Sequence, residues 1–563
     1  MNLKIAELGI SFLGIALSMP QLVASHPIII DGDFSDWDAV PIAYLDVIGD
    51  GAQEDFAELR VTNDDDYVFL YFRVASPEFV AQLANGNALG LYIDTDNDAG
   101  TGLAVHGIGA EFEWVFGGRR GNYHHSSGTT IVFAGDVSWH LLPTHSSQAF
   151  EVAISRTSDP MTLSGAQTPG TLKIVMRSSP EDDFMPDDPG GVTFTIDPTL
   201  IGPAIPIQLA RNQPGDLRIL SYNTLTSGLS NATREVNHER ILKAVDPDIM
   251  VFQEQNNRSG VMANLNAWFP GDTLTVIQLS GSNMIASKFP ILNSAQFIAS
   301  GLCSAILIDT EAVLGVQTLV LNTHLTFASD ASRQRDADEI ISALKDLRAG
   351  NGPFAVPEGT AIVHVGDFNL FGSSQVLTTS RDGDIVDEAT YGPDSPPDWD
   401  GTSFVNLISR HTGARWGHTT SGTGGMGTPS KLDYVFYSDS VVAPANHYIL
   451  STPEMSASDL AANGLDAQDT VLASDHLPRV LDLVLLDTGP LSIRSFELIG
   501  GEVQITGFDP VATRIRSVWT SSDLVNWSEV PGIVWTDVGA REFETTFPAL
   551  PSPAFFRIHA TDP

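Results

Sequence analysis

Cysteine is almost missing: Cys303 is the single one in 563 residues. That excludes an intramolecular disulfide and any metal site built on thiolates. Basic residues are scarce too, 29 Lys and Arg against 69 Asp and Glu, for a formal net charge of −40 and a pI near 4.4. This balance argues against a broad polyanion-binding surface and favours solubility in salty or cation-rich surroundings. Between Gly215 and Asp487 the count is 15 basic to 32 acidic residues, so the middle of the chain shares the acidity. A nucleic-acid substrate there would have to be met by divalent metal and a few local cations. Beyond the first 25 residues no run is long and apolar enough to cross a bilayer.

What is present divides the chain. Lys4, the apolar run Leu8 to Leu17 and Val23-Ala24-Ser25 read as an export signal over residues 1–25, too short to span a membrane. The mature protein is therefore expected to be secreted, extracellular or periplasmic. Residues 26–205 read as a β-sandwich: Tyr67-Val-Phe-Leu-Tyr-Phe-Arg-Val74 is apolar or aromatic on both faces, and further short runs are separated by Gly, Asp and Ser. The proline- and glycine-rich stretch before Gly215 nearly lacks charge and reads as a linker over 206–215. Residues 216–487 mix strand and helix patterns. A second break at Asp487-Thr-Gly-Pro490 precedes a small all-β module over 491–563.

In the acidic loop Asp94-Thr-Asp-Asn-Asp-Ala-Gly100, Asp94, Asp96 and Asp98 alternate and can converge on a structural calcium. It is no EF-hand, because Ala99 takes the place of the turn glycine and Val105 that of the bidentate Glu. His124-His125 reads as exposed loop. Cys303, in Cys303-Ser-Ala-Ile-Leu-Ile308, reads as a small core residue.

In the middle segment, spacing of apolar residues predicts helices over Glu235 to Val245 and Ser332 to Leu347. Ala361-Ile-Val-His-Val-Gly-Asp-Phe-Asn-Leu370 reads as a buried strand stopped by Gly366, with Asp367 and Asn369 at its mouth. Similar apolar runs end in, or contain, polar residues at Leu217–Asn223, Asp246–Glu254, Thr318–His324, Lys431–Phe436 and Ser474–Pro478. In this order the six motifs resemble the endonuclease/exonuclease/phosphatase superfamily of metal-dependent phosphoesterases, over roughly Asp216 to Leu486. The Asp31-Gly-x-x-x-Asp36-Trp37 opening, with the acidic loop, resembles family-nine-like carbohydrate-binding modules. The end of the chain resembles the β-sandwich appendages of secreted bacterial proteins.

The resemblance implies a multidomain α/β chain with a central four-layer α/β/β/α sandwich, its motif residues gathered at one edge on loops held by strands. Glu254, Asn223 and Asp475 would hold Mg2+ or Mn2+, since hard carboxylates suit those ions. His476, oriented by Asp433, would take a proton from water in its neutral form. His324 would serve the leaving oxygen, while Asp367 and Asn369 polarise water or bind phosphate oxygens. Asn322 shares the His324 strand face, which makes it a phosphate-binding candidate.

Many nuclease members carry a tyrosine and an arginine between the Glu and His motifs. Here no tyrosine lies between Glu254 and His324, and the only basic residues are Arg258 and Lys288. Lys288, Arg415 and Lys431 are the candidates for the missing phosphate cation. Three readings follow: a nuclease acting on extracellular DNA or RNA; a sphingomyelinase-like phospholipase or phosphomonoesterase; or a catalytically inactive glycan-binding surface protein. The full set of polar strand-end residues favours an enzyme. If the front segment only targets the enzyme, a chain beginning near Pro214 folds and hydrolyses small diesters unaided.

Overall fold

The computed structural model describes residues 27–561 apart from 52–53, 77–78, 84–88, 163–169, 179–182, 200, 280, 423–426, 487–491, 500–501, 509–514, 522–527, 540–541 and 549–554. The export signal expected over 1–25 lies outside the described residues.

Between Ile42 and Thr195 the described strands form two large antiparallel sheets and a two-stranded pair, Leu103–Val105 with Ile108–Ala110. One runs Ile42–Leu45, Phe56–Asn63, Tyr67–Val74, Ala149–Ser155, His140–Leu142; the other is seven-stranded and centred on Leu89–Asp94 and Thr171–Ser178. Alternate residues of each (Leu59, Val61, Leu70 and Phe72 against Leu91, Ile93, Trp114 and Ile174) bury one shared core. His124 and His125 belong to a strand, Arg120–His125, not to an exposed loop. His124 Nε2 lies 3.1 Å from Glu113 Oε2.

The middle segment holds two six-stranded sheets. In one, Leu217–Asn223 pairs parallel with Ile249–Gln253 and antiparallel with Arg479–Leu485. In the other, Thr318–His324 pairs parallel with Ala361–Asp367, which pairs antiparallel with Asp433–Tyr437. Side chains alternate across a strand. Leu217 and Ile219 therefore meet Ile306, Val320 and Val363 of the opposite sheet, while Leu220 and Tyr222 face the helices Glu235–Val245 and Arg258–Trp268. On the far side, Leu319 and Leu321 pack on Ile340, Leu344 and Leu347 of the helix Asp330–Arg348. Each fully buried Leu or Ile contributes about 1.5–3 kcal/mol of transfer free energy.

The helix boundaries follow local chemistry. Ser329 Oγ accepts from the Ser332 amide at the start of Asp330–Arg348, and Asn257 Oδ1 from the Gly260 amide at the start of Arg258–Trp268. Cys303 is buried with its thiol pushed up to about 12, first by burial, so it is an inert core residue. Beyond Ser492 the described residues form a four-stranded and a three-stranded sheet.

Candidate active site

Register places the polar residues. The parallel pairing sets His324 opposite Asp367, and the antiparallel pairing sets Asp367 opposite Asp433. Three strands thus present one row of functional side chains at a single sheet edge. Gly366 does not stop its strand. It carries pairing on to Asp367 with φ 143°, and a Cβ there would overlap the Thr323 carbonyl oxygen. Glycine is needed for that close approach. Across the gap, Asn223 stands opposite Gln253 at the end of the other sheet, with Glu254 next in the chain. Glu254 (φ 61°), Asn369 (φ 47°) and Leu225–Ser227 all adopt left-handed backbone, a strain of about 1–3 kcal/mol each for non-glycine residues.

Hydrogen bonds then join the two sheet edges. Asn223 Nδ2 donates to Glu254 Oε1 at 3.1 Å and to Asp367 Oδ2 at 2.9 Å. Thr226 N donates to Glu254 Oε2 at 2.7 Å, and Asn369 N to Asp367 Oδ1 at 2.8 Å. His476 Nδ1 lies 2.8 Å from Asp433 Oδ2. Its Nε2, like that of His324, lies 3.7 Å from Asp367 Oδ2, too far for a direct hydrogen bond. Glu254, His324, Asp367, Asn369 and His476 border a cleft of about 400 Å³ that also takes in Leu302, Leu325, Thr326, Phe327, Leu432 and Asp475. None of its lining residues is Lys or Arg.

The charges are tightly linked. Burial opposes ionisation of Glu254, but the Thr226 amide, Asn223 and the two histidines outweigh it and hold the carboxyl below its usual range. Asp367 is raised, first by burial and then by Asp433, against the pull of His476 and His324. Burial pushes His476 down, yet Asp433 and Asp367 overcome it and bring the imidazole to about 10. With these side chains alone His476 therefore holds its proton at neutral pH, and its neutral form needs added positive charge nearby. Asp475 Oδ1 is buried with no hydrogen-bond partner, in the same cleft as Glu254. Two carboxylates, one with an orphaned oxygen, make a hard oxygen set that fits a divalent cation. Asn223, expected as a third ligand, instead turns its amide nitrogen to Glu254 and its oxygen to the Leu225 amide, and so braces that carboxylate.

Several expected residues sit elsewhere. Asn322 is buried between the sheets: its amide donates to Phe252 O and Met284 O, and its oxygen accepts from Gln253 Nε2. It ties the sheets together and has no proton left for phosphate. Lys288 follows the strand paired at the Asp248 end of Ile249–Gln253, opposite Glu254, and its ammonium pairs with Asp246 and Asp272. Arg415 bonds Asp64 and the Gly202 carbonyl. Lys431 Nζ is drawn to the Asp31 carbonyl at 2.8 Å. None of the three faces the cleft, because each is held by acceptors outside it. Asn369 lines the cleft, but its amide is committed to Leu325 O.

The residues that sequence reading passed over are Thr226, Thr419 and Phe327. Thr419 Oγ1 accepts from the amides of Leu432 and Asp433 and so fixes the end of the Asp433 strand. Phe327 lies three residues past His324 and stays 63% exposed at the cleft. An aromatic just beyond a functional strand end was the available signal.

Residues 220–476 match the model of the Endonuclease/Exonuclease/phosphatase family. Similar solved structures include ANGEL2, a 2′,3′-cyclic phosphatase, at 15% identity over 50% of this chain and 98% of that one, with a TM-score of 0.35. Truncated TDP2 of Caenorhabditis elegans is 15% identical over 48% and 99%, with a TM-score of 0.32. The human Nocturnin catalytic domain is 16% identical over 49% and 96%, with a TM-score of 0.30. No curated protein sequence matches the chain. Enzymes of the matched family are in general divalent-metal dependent, and the match points to phosphoric-ester hydrolysis.

Proposed function

We propose that this chain is an exported, divalent-metal-dependent phosphodiesterase that cleaves extracellular DNA or RNA by in-line attack of water on phosphorus. The observation that carries the reading is one cleft lined by His324, Asp367, His476, Glu254 and Asp475, with His476 locked onto Asp433. We read the two sheets and their flanking helices as a four-layer α/β/β/α sandwich holding that cleft at its edge.

A divalent ion (Mg2+ or Mn2+) held by Glu254 and Asp475, with Asn223 bracing Glu254, would neutralise phosphoryl oxygens and drive His476 toward its neutral form. Asp433 holds the His476 ring through Nδ1, so Nε2 faces the cleft, where it accepts the proton of the attacking water. The Asp367 carboxylate lies 3.7 Å from both Nε2 atoms, so its charge favours both rings where the phosphate would sit. His324, whose Nε2 lies as close to that carboxylate as the Nε2 of His476, assists the leaving oxygen. Exposed Phe327 supports a nucleic-acid substrate, because base stacking on an aromatic ring is worth about 1–3 kcal/mol and needs no basic surface.

The front segment is proposed to bind a glycan. Its acidic loop supports a structural Ca2+ held by Asp94, Asp96 and Glu111, since Asp94 Oδ1 is buried without a partner. Asp98 stands outside that triad and accepts from the Gly100 amide.

The test is a panel of DNA, RNA, sphingomyelin and p-nitrophenyl phosphoesters, each with and without EDTA. Metal-dependent cleavage of nucleic acid above all others is the expected result. Preference for sphingomyelin or a monoester would replace the substrate assignment, and EDTA-resistant hydrolysis would remove the mechanism.

A further inference from the structure

A second group of carboxylates lies in the front segment, apart from both the cleft and the Asp94 loop. Asp46 follows the strand Ile42–Leu45, Asp50 and Asp55 flank the next loop, and Asp183 and Asp187 come from the far sheet and the turn after it. One oxygen each from Asp46, Asp183 and Asp187 lies within 4.8 Å of the others, and Asp183 forms a second such set with Asp50 and Asp55.

Acidic clusters on a surface are ordinary, but Asp46 is not on the surface. It is only 9% exposed, and neither of its carboxylate oxygens has a hydrogen-bond partner. An ionised carboxylate buried without donors is among the most unfavourable arrangements in a protein interior. Burial first, then the negative charges of Asp183, Asp187, Asp50 and Asp55, push its carboxyl up to about 8. Its neighbours are anchored: Phe56 N donates to Asp183 Oδ2, while Gly49 N and Gly51 N donate to Asp55. The oxygens are therefore held in place around an acid that has nothing to bind.

We propose that Asp46, Asp183 and Asp187 hold a calcium ion, with Asp50 and Asp55 as its outer carboxylates. Oxygen-only donors on irregular loops suit calcium, which accepts six to eight oxygens in flexible geometry, better than magnesium, which demands a near-ideal octahedron. The ion would clip the Ile42–Leu45 edge of one sheet to the Asp183–Met185 edge of the other, where Asp183 already bonds the first residue of Phe56–Asn63. It is a structural site, separate from the cleft.

The test uses the full chain stripped with EGTA and returned to excess Mg2+, so that the cleft carboxylates are occupied. Calcium stoichiometry is read by calorimetry. Terbium emission excited through tyrosine reports the site itself, because the Tyr44 hydroxyl lies 3.2 Å from Asp187 Oδ2. Asp46→Asn and Asp183→Asn should each lose one calcium equivalent and the calcium-displaceable terbium signal, whereas Asp94→Asn, which removes a ligand of the acidic-loop site, keeps that terbium signal. Tyr44→Phe should keep the calcium equivalent and lose the emission. Because Asp46→Asn removes the cost of burying an acid among like charges, the metal-free variant should melt at or above the parent, with a smaller calcium-induced rise in Tm. Unchanged calcium stoichiometry in Asp46→Asn and Asp183→Asn would overturn the proposal. So would an undiminished calcium-induced rise in Tm in Asp46→Asn, leaving Asp46 a buried neutral acid.

Discussion

His324 and His476 point the same ring nitrogen at one carboxylate, yet only His476 has a second carboxylate behind it. That asymmetry predicts different sensitivities. His476→Ala should abolish hydrolysis of nitrophenyl and natural diesters alike. His324→Ala should damage the natural diester far more, by about 10²–10⁴-fold, because nitrophenolate departs without a proton. Equal losses on both substrates, measured as kcat, would leave His324 a phosphate-binding or structural residue. Glu254→Gln should lower the rate by about 10²–10³-fold and raise the metal concentration needed for half activity, a shift read by Mg2+ titration. His364 differs from both: it is buried in the same strand as Asp367, bonds Thr323 Oγ1 at 2.8 Å, and is held down to about 3 by burial. Its folded pKa is depressed, so its contribution is intact above pH ~6.5. It shrinks as pH falls from there toward 3, because the unfolded chain takes up the proton first. Relative to His364→Gln, the parent should lose about 1.4 kcal/mol of unfolding free energy per pH unit in that window. A parallel pH dependence of the two proteins would show that His364 is not the titrating group. Single residues were legible where a polar type ended an apolar run. Asn322 was misread because its face on the strand is visible in sequence, while the sheet that covers that face is not.

Strand identity was the most legible feature at the next scale, and Glu235–Val245 is helical over the same residues that its spacing predicts. Register was not legible. Nothing in Thr318–His324 or Ala361–Asp367 taken singly says that their last residues face each other, yet that pairing builds the site. Gly366 shows why. After a β-branched run it reads as a stop, but its role is to let the Thr323 carbonyl approach inside a continuing strand. Gly366→Ala therefore sets a methyl group against backbone on a strand pinned from both sides by Thr323 and Tyr434. The expected result is a loss of about 3 kcal/mol or more in denaturant unfolding, with activity falling further than stability as His324 and Asp367 lose register. Wild-type-like kcat in a folded Gly366→Ala protein would show that the pairing tolerates the shift.

The whole molecule reverses the expectation that the front segment can be dispensed with. The stretch of residues 411–422 and 427–431 contacts both that segment and the neighbours of the catalytic residues. On its outer side, Trp416 stacks on His140 at 3.9 Å between ring centres and joins the cluster of Ile28, Ile30, Trp37 and Phe69. Gly417 N donates to Ile30 O, Arg415 pairs with Asp64, and the Lys431 carbonyl accepts from Thr144 Oγ1. On its inner side, Leu477 N donates to Thr419 O, Ser421 N to Asp475 O, and Thr420 bridges His476. The backbone neighbours of the Asp433–His476 dyad are therefore set by a loop whose other face the front segment covers. A chain beginning near Pro214 exposes Trp416 and frees that loop, so it should fold with a lower Tm and a reduced kcat. KM should change less, because the hydrogen bonds that hold Glu254 and Asp367 come from Asn223, Thr226 and Asn369, all within the middle segment. Trp416→Ala in the full chain should reproduce the direction of the kcat loss at smaller amplitude. A truncated chain that keeps full kcat on a nitrophenyl diester would restore the targeting-only role and make the loop self-supporting.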